Sequence, residues 1–356
     1  MNSLIVTLEY IRSFDQHRPP TLSADLEIFS EFFKIVSSSW IVDRTEETKL
    51  PFRTNILNDH KLNYVSQNIL SLDDACQHAV EKYKNITTPI YVLWSGGIDS
   101  TLILVSFLKY GFDKSKIIVA CNFDGIKENY NFYKNFILPN FKVIASEMLI
   151  QQLDSGTLIN GDPADALLGI DLSLGIFKKY GCEYLLKPCS REVITEYFIN
   201  SGLSHQAANC WYDYYISSIN FSPRQIVTVQ DFSWWITFNH RWQTANEKLK
   251  TRIKSSVNYC RFFDSEHFQN WAINKANTTI TRLQDFKYDY QKIIFDYTKD
   301  EDYFYKKIKL SSASFTFGSQ PYSAILDNGL KLTSDEFNIF DYYDRNNFID
   351  DWLSIN

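Results

Sequence analysis

Short apolar runs alternate with helix-like stretches in the middle of the chain. Runs at residues 89–94, 117–121 and 141–146 are each followed by a helical pattern, and a fourth run ends at Asn160. This alternation predicts parallel strands connected by helices. We therefore expect an α/β fold with a doubly wound parallel sheet, whose ligands sit at the carboxyl ends of the strands.

Helical periodicity also appears on both sides of this region. A Ser/Asp-capped helix is predicted from Ser71, and from about residue 190 to 300 the chain turns helical and strongly aromatic. Further upstream, Leu22, Leu26, Phe29, Phe33 and Val36 recur at helical spacing. The sequence therefore predicts a small N-terminal appendage before the sheet and a helical part after it.

The charge balance limits the classes of partner. The 356 residues carry 36 basic and 42 acidic side chains, a net charge of -6, so no global positive field is present to hold a phosphate backbone. Nucleic acid is therefore not an expected partner. No uncharged apolar run reaches the ~18 residues that span a bilayer, and six scattered cysteines form no C-x-x-C pair. We expect a cytoplasmic protein without a membrane partner.

The strongest chemical signal is the segment SGGIDST at residues 95–101, which lies between a predicted strand and a predicted helix. Glycines let the backbone approach a phosphate group, and the N–H groups at the helix start point toward it. Ser95, Ser100 and Thr101 add hydroxyl groups. Asp99 is an unusual choice in an anion site unless a cation bridges it to the phosphates, which indicates Mg²⁺. The lysine of a Walker loop is absent.

A second cluster, NGDPADALLG at residues 160–169, follows the fourth predicted strand. Asp162 and Asp165 are three residues apart and can face one cleft, where one carboxylate holds a metal ion and the other accepts a proton. Taken alone, this segment is equally typical of an Asp-Pro turn followed by a helix cap.

Together the two segments resemble a known family. SGGIDST is similar to the S-G-G-x-D-S pyrophosphate loop of the N-type ATP pyrophosphatases. NGDPADALLG resembles the S/T-G-E/D-G-x-D-E-L/F-x-G segment of asparagine synthetases and their β-lactam-forming and lasso-peptide-cyclising relatives. Pro163 and Ala166 depart from this pattern, since they replace a usual glycine and a usual acid.

The resemblance implies an adenine nucleotide alpha hydrolase-like fold and an ATP-dependent amidating ligase. Such an enzyme adenylates a substrate carboxylate, releases pyrophosphate and forms an amide with ammonia or an amine. Mg²⁺ would bind Asp99 and Asp165, and Asp162 would act on the amine. The family also places a phosphate-neutralising lysine near the C-terminal end, for which Lys309 is chosen over Lys306 and Lys307. The implied ATP and pyrophosphate contacts are Ser95, Gly96, Gly97, Asp99, Ser100, Thr101 and Gly161.

The resemblance covers residues 70–310, which leaves a small region at 1–69 and an extension at 311–356. Glutamine-dependent members carry a cysteine directly after the initiator methionine, where this chain has Asn2. The resemblance therefore implies no glutaminase domain, so that the nitrogen would come from free ammonia, a substrate amine or a separate donor protein. Two alternatives remain: a tRNA- or nucleobase-modifying adenylating enzyme, and a catalytically degenerate ATP-binding protein.

Overall fold

The computed structural model describes residues 43–47, 62, 71–146, 149, 153–242, 254, 256–275 and 279–307. It also describes the backbone of short strands at 2–3, 5–7, 52–53, 323–325 and 331–332. The helical pattern between Leu22 and Val36 and the chosen phosphate lysine, Lys309, lie outside the described residues.

The centre of the fold is a five-stranded, all-parallel sheet. Its strands are β1 (Ile90–Trp94), β2 (Ile117–Cys121), β3 (Lys142–Ala145), β4 (Gly156–Asn160) and β5 (Val257–Arg261). Their spatial order is β3-β2-β1-β4-β5. Trp94 is paired with Cys121 at the carboxyl end of β1, and Ile90 is paired with Thr157 on the other side. The α/β class, the parallel sheet and the first four strands are confirmed.

The fifth strand was not predicted, because β5 lies inside the aromatic stretch that was expected to be helical. It pairs in parallel with β4 from Gly156↔Val257 to Asn160↔Arg261. The amide of Phe262 then donates to the carbonyl oxygen of Asn160 at 3.2 Å. These partners are far apart in sequence, so a local periodicity does not reveal the pairing.

Helices precede and follow the sheet strands. In chain order they are α1 (Leu72–Tyr83), α2 (Ile98–Lys109), α3 (Phe123–Glu128), α4 (Ala164–Leu168), α5 (Ile170–Tyr180), α6 (Cys182–Leu185), α7 (Arg191–Ile199), α8 (His205–Ile219), α9 (Val229–His240), α10 (Glu266–Asn274), α11 (Tyr288–Thr298) and α12 (Glu301–Lys306). Tyr130–Phe132 is also helical and continues into a π-helical turn, Tyr133–Ile137, while Lys114–Lys116 and Leu283–Lys287 are 3₁₀ turns.

Apolar side chains cover both faces of the sheet. Leu149 and Leu153 pack with Leu158 and Val257 in one cluster, while the buried residues of α1 and α2 join Val92 in a larger one. The strand order and the two covered faces are compatible with the expected doubly wound arrangement.

The second motif is joined to the helical part by close backbone packing. Gly169, between α4 and α5, has φ +67°, and a Cβ there would lie 2.4 Å from the Cα of Trp234 in α9. The Trp234 indole donates to the carbonyl oxygen of Leu167 at 3.0 Å, and Arg224 lies over its ring at 3.4 Å from the centroid. Leu168-Gly169 therefore serves as a packing point between α4 and α9.

Short strands from the two ends of the chain share a sheet. Ile5–Thr7 pairs antiparallel with Ser323–Ile325, which pairs in turn with Lys331–Leu332. Asn2–Ser3 pairs in parallel with Phe52–Arg53. Among the described residues, no helix combines the length and the apolar character that crossing a membrane requires.

A buried polar network anchors residues 43–47 to the helical part. Asn239 donates to Asp43 at 2.7 Å, and the Nε2 of His240 lies 3.0 Å from the Ser218 hydroxyl. Burial lowers the pKa of His240 to about 4. Asp43 keeps a pKa of about 2 even though burial acts to raise it, because His240 and hydrogen bonds from Thr45 and Asn239 favour the carboxylate.

We expect this network to make the fold acid-sensitive. The pKa of His240 is lower in the folded chain than in the unfolded one. The neutral imidazole therefore contributes fully to the free energy of unfolding above pH 6.5, and this contribution is lost as the pH falls toward 4. The expected loss in unfolding free energy is about 3 kcal/mol. Urea unfolding at pH 7, 5.5 and 4.5 should show a shallower pH dependence for His240→Gln than for wild type. The exposed His205→Gln is the control, and an unchanged slope in His240→Gln would contradict this account.

Candidate functional site

The two predicted motifs meet at the carboxyl edge of the sheet. β1 and β4 are neighbours, and the chain continues from them toward opposite edges of the sheet. Such a switch point is where open α/β sheets have their ligand crevice, at the carboxyl ends of the strands. Ser95–Gly97 follows β1 and Gly161–Pro163 follows β4. A Cβ at Gly161 would lie 3.2 Å from the Cβ of Asp99, so the two segments are in direct contact.

The glycine loop after β1 is shaped by contact with α3. Gly96 has φ +73°, and a Cβ there would lie 2.2 Å from the carbonyl oxygen of Gly125. Ser95 is exposed, and its amide donates to the Ser100 hydroxyl at 3.1 Å, which itself donates to the carbonyl oxygen of Gly97 at 3.2 Å. These contacts fix an open turn whose backbone approaches α3 without side chains between them.

The N-terminus of α2 differs from those of most other helices. A Ser, Thr or Asp side chain caps α1, α7, α8, α9, α10 and α12. The capping position of α2 is Gly97, which has no side chain to accept a hydrogen bond from the first turn. A helix start without a side-chain cap is the arrangement in which backbone N–H groups can bind an anion.

Thr101 has a different role from the one expected. It is fully buried, and its hydroxyl accepts a hydrogen bond from the Trp94 indole at 3.1 Å. The side chain thus holds α2 against β1 and does not reach the open face of the loop. We accordingly leave Thr101 out of the phosphate contacts proposed below.

Asp99 and Asp165 converge on one cation. The Nζ of Lys287 lies 2.5 Å from both carboxylate oxygens of Asp99 and 2.5 Å from Oδ1 of Asp165. Lys287 is only 2% exposed, whereas both carboxylates retain partial exposure. The expected metal-binding pair is therefore brought together, and a lysine ammonium lies between its two members.

Packing of the C-terminal helical unit, residues 283–307, directs Lys287 toward this pair. Lys287 ends the 3₁₀ turn that leads into α11. The preceding Phe286 meets Phe177 edge-on at 5.5 Å between ring centroids, and Tyr290 stacks on Phe263 at 5.5 Å. The Tyr290 hydroxyl donates to the carbonyl oxygen of Ala164 at 3.3 Å, which ties α11 directly to α4.

Two buried tyrosines form a neutral wall beside the carboxylates. Burial raises the pKa of Tyr290 and of Tyr303 well above 10, and the negative charge of Asp99 raises both further. Both phenols therefore stay protonated over the physiological pH range. The charge of this part of the site is set by its carboxylates and lysines.

Asp162 is held by the residue that ends β4. The Nδ2 of Asn160 donates to Oδ2 of Asp162 at 2.7 Å. Asn160 is 7% exposed, and within the described part of the chain its Oδ1 is buried without a hydrogen-bond partner. This contact fixes the orientation of the Asp162 carboxylate.

The C-terminal lysines differ in position. Lys306 is exposed and pairs with Asp302 at 2.5 Å. Lys307 is ion-paired with Glu128 of α3. A Cβ at Gly96 would lie 3.0 Å from the Cβ of Glu128, so the Lys307 ammonium lies near the glycine loop. Lys309 lies two positions after Lys307, outside the described residues.

The carboxylate pair fits Mg²⁺ as a partial ligand set. Within the described ranges, no group of three or more His, Cys, Asp or Glu side chains could hold a metal ion. Asp99 and Asp165 already converge on one positive charge, and Mg²⁺ commonly takes one or two carboxylates together with substrate phosphates and water.

A separate cleft of about 590 Å³ lies away from both motifs. It is formed where the start of α1 meets α10 and α11, and its charged side chains are paired, as in Lys109 with Asp73 at 2.6 Å and Lys292 with Asp296 at 3.3 Å. These pairs stabilise the junction of the helices and bring no catalytic group to the cleft.

Comparison with known proteins does not assign a family. No protein-family model matches the chain, and no curated protein matches it.

Sequence reasoning did not find Lys287, the Gly96–Gly125 contact or the Asn160–Asp162 bond. Lys287 lies in a segment without a recognisable motif, and only the tertiary fold brings it to Asp99. Asn160 stands directly before Gly161 in the second motif, so its position beside Asp162 was the one available signal.

We expect the Gly96–Gly125 contact to control the loop. Gly96→Ala should lower the free energy of unfolding by about 2 to 4 kcal/mol, because the new Cβ adds positive-φ strain and a backbone clash. Gly97→Ala is the matched control, since φ is -73° there and a Cβ would meet only the Ser95 hydroxyl at 3.2 Å. Urea unfolding measures both variants, and equal losses would contradict this account.

Proposed function

We propose that this chain is an ATP-dependent amidating ligase of the asparagine synthetase-like type. A substrate carboxylate attacks the α-phosphorus of ATP and pyrophosphate leaves. Ammonia or an amine then attacks the acyl carbon of the adenylate and displaces AMP. One observation carries the proposal: two segments about sixty residues apart meet at the switch point of the sheet, with Asp99 and Asp165 directed at the same cation. An adenine nucleotide alpha hydrolase-like fold is part of this proposal.

The glycine loop and the uncapped start of α2 would hold the β and γ phosphates. Ser95 supplies an exposed hydroxyl group, and the buried Ser100 hydroxyl lies 3.2 Å from it. The backbone at Gly96 and Gly97 lets a phosphate approach without steric conflict. Gly161 leaves space beside Asp99 for the same reason. Asp99 and Asp165 would hold Mg²⁺, which when bound neutralises charge on the departing pyrophosphate.

Asp162 would accept the proton released as the amine attacks the adenylate. The hydrogen bond from Asn160 keeps the carboxylate oriented for this step. Exclusion of bulk water by the buried wall of α11 would protect the adenylate from hydrolysis. Tyr290, with no exposed surface, is part of that wall.

Asp99→Asn should abolish most ATP cleavage. Purified protein with ATP and Mg²⁺ is incubated with a panel of amino acids and dicarboxylic acids, and AMP and pyrophosphate are measured. We expect turnover with at least one acid and a loss of ~100-fold or more in Asp99→Asn, because charge on the leaving group is no longer neutralised. Asp296→Asn, on the exposed face of α11, is the control. ADP as the product, or no cleavage by wild type with any acid, would refute the ligase proposal.

Asp162→Asn should separate the two half-reactions. Exchange of labelled pyrophosphate into ATP reports adenylation and should stay within about threefold of wild type. Amide formation with ammonium as the nucleophile should fall by about 10² to 10⁴, since only this step needs the proton acceptor. Asp154→Asn, at an exposed position, is the control. Equal losses in both half-reactions would show that Asp162 serves adenylation or folding instead.

A second candidate is an ATP-binding protein without turnover. The position of the Lys287 ammonium between the two expected metal ligands favours it, as do Pro163 and Ala166 in place of a usual glycine and acid. This candidate requires ATP binding by calorimetry with no release of pyrophosphate for any acid in the same panel.

A further inference from the structure

One buried ammonium lies where the expected metal ion would lie. Lys287 contacts three carboxylate oxygens at 2.5 Å, two from Asp99 and one from Asp165. Its side chain is 1% exposed, while the Asp99 and Asp165 side chains are 21% and 23% exposed. The lysine thus approaches the pair from the protein interior, and the carboxylates remain reachable from the crevice.

An ammonium and Mg²⁺ compete for the same oxygen atoms. Mg²⁺ requires close octahedral contacts with oxygen ligands, and it loses its water reluctantly. Oxygens that already accept short hydrogen bonds from an ammonium are weaker ligands, and the two cations repel each other in a partly buried site. The free protein therefore offers Mg²⁺ a site whose charge is already half neutralised.

Nucleotide phosphates change this balance. The Lys287 ammonium is carried by a long side chain, and Asp99 lies in the first turn of α2, directly after the glycine loop. Phosphate oxygens at that loop supply new acceptors for the ammonium as well as new ligands for the metal ion. The ammonium and the metal ion then no longer compete for the same oxygen atoms.

We propose that Lys287 makes metal binding conditional on nucleotide. In the free protein its ammonium occupies Asp99 and Asp165. With ATP bound, the ammonium moves to phosphate oxygens and Mg²⁺ takes the two carboxylates. This inference rests on the ATP site of the proposed function. It places Lys287 at the phosphates, where the resemblance led to the choice of Lys309, and it adds an order of binding that the resemblance did not supply.

Mn²⁺ binding, followed by electron paramagnetic resonance of the full chain, tests the inference. Wild type should bind Mn²⁺ at least tenfold more tightly with α,β-methylene-ATP than without it. Lys287→Met should bind Mn²⁺ without nucleotide at least tenfold more tightly than wild type, and should bind the analogue at least tenfold more weakly. Lys275→Met is the matched control, because Lys275 pairs with Asp289 outside both motifs.

Mn²⁺ binding by wild type, with and without the analogue, tests the inference even if Lys287→Met folds poorly. Tight Mn²⁺ binding by wild type alone, or no gain in Lys287→Met, overturns the inference. As a second readout, Mg²⁺ should raise the melting temperature of Lys287→Met more than that of wild type, and equal shifts also overturn it. The binding assay needs no turnover. Nucleotide-dependent Mn²⁺ binding without AMP release would refute the ligase proposal and still support this inference. Failure of wild type to bind the analogue would refute both.

Discussion

The candidate site depends on one ammonium shared by two carboxylates. Asp99 and Asp165 belong to helices that follow β1 and β4, and Lys287 belongs to the C-terminal helical unit. Without the lysine, two like charges would face each other in a partly buried crevice, where water screens them less than at the surface. The ammonium offsets both charges at once. Neither motif is therefore sufficient by its own sequence, because the site is complete only when residues 283–307 pack against the sheet.

The glycine loop owes its shape to the absence of side chains at two positions. The backbone at Gly96 approaches Gly125 so closely that a Cβ cannot fit between them. The next glycine, Gly97, caps α2 without a polar side chain, so the first N–H groups of that helix keep their hydrogen-bonding capacity. One short sequence thus provides both close packing on α3 and a turn that can receive an anion. A serine or aspartate at position 97 would cap the helix and compete with a ligand for those N–H groups.

The parts of the fold that follow local rules could be predicted from the sequence, and the parts set by tertiary packing could not. Strands β1 to β4 and the cap at Ser71 leave periodic or positional signals within a few residues. β5 is defined by its pairing with β4 across about a hundred residues. Thr101 looks like a phosphate ligand in its motif, yet the position of α2 on the sheet turns its hydroxyl toward Trp94. Lys287 carries no local signal, because its function comes only from what it contacts.

The C-terminal helical unit acts as one wall of the site. Tyr290 and Tyr303 from this unit stay neutral, since burial and the charge of Asp99 both disfavour their ionised forms. Lys287 and Lys307 come from the same unit and reach carboxylates on three different helices. Burial of Lys287 strengthens its interactions with Asp99 and Asp165 relative to water. A polyanion entering the crevice would therefore meet cations that are already bound to carboxylates. Its binding free energy depends on how far the new cation–anion contacts outweigh the cation–carboxylate contacts that they replace.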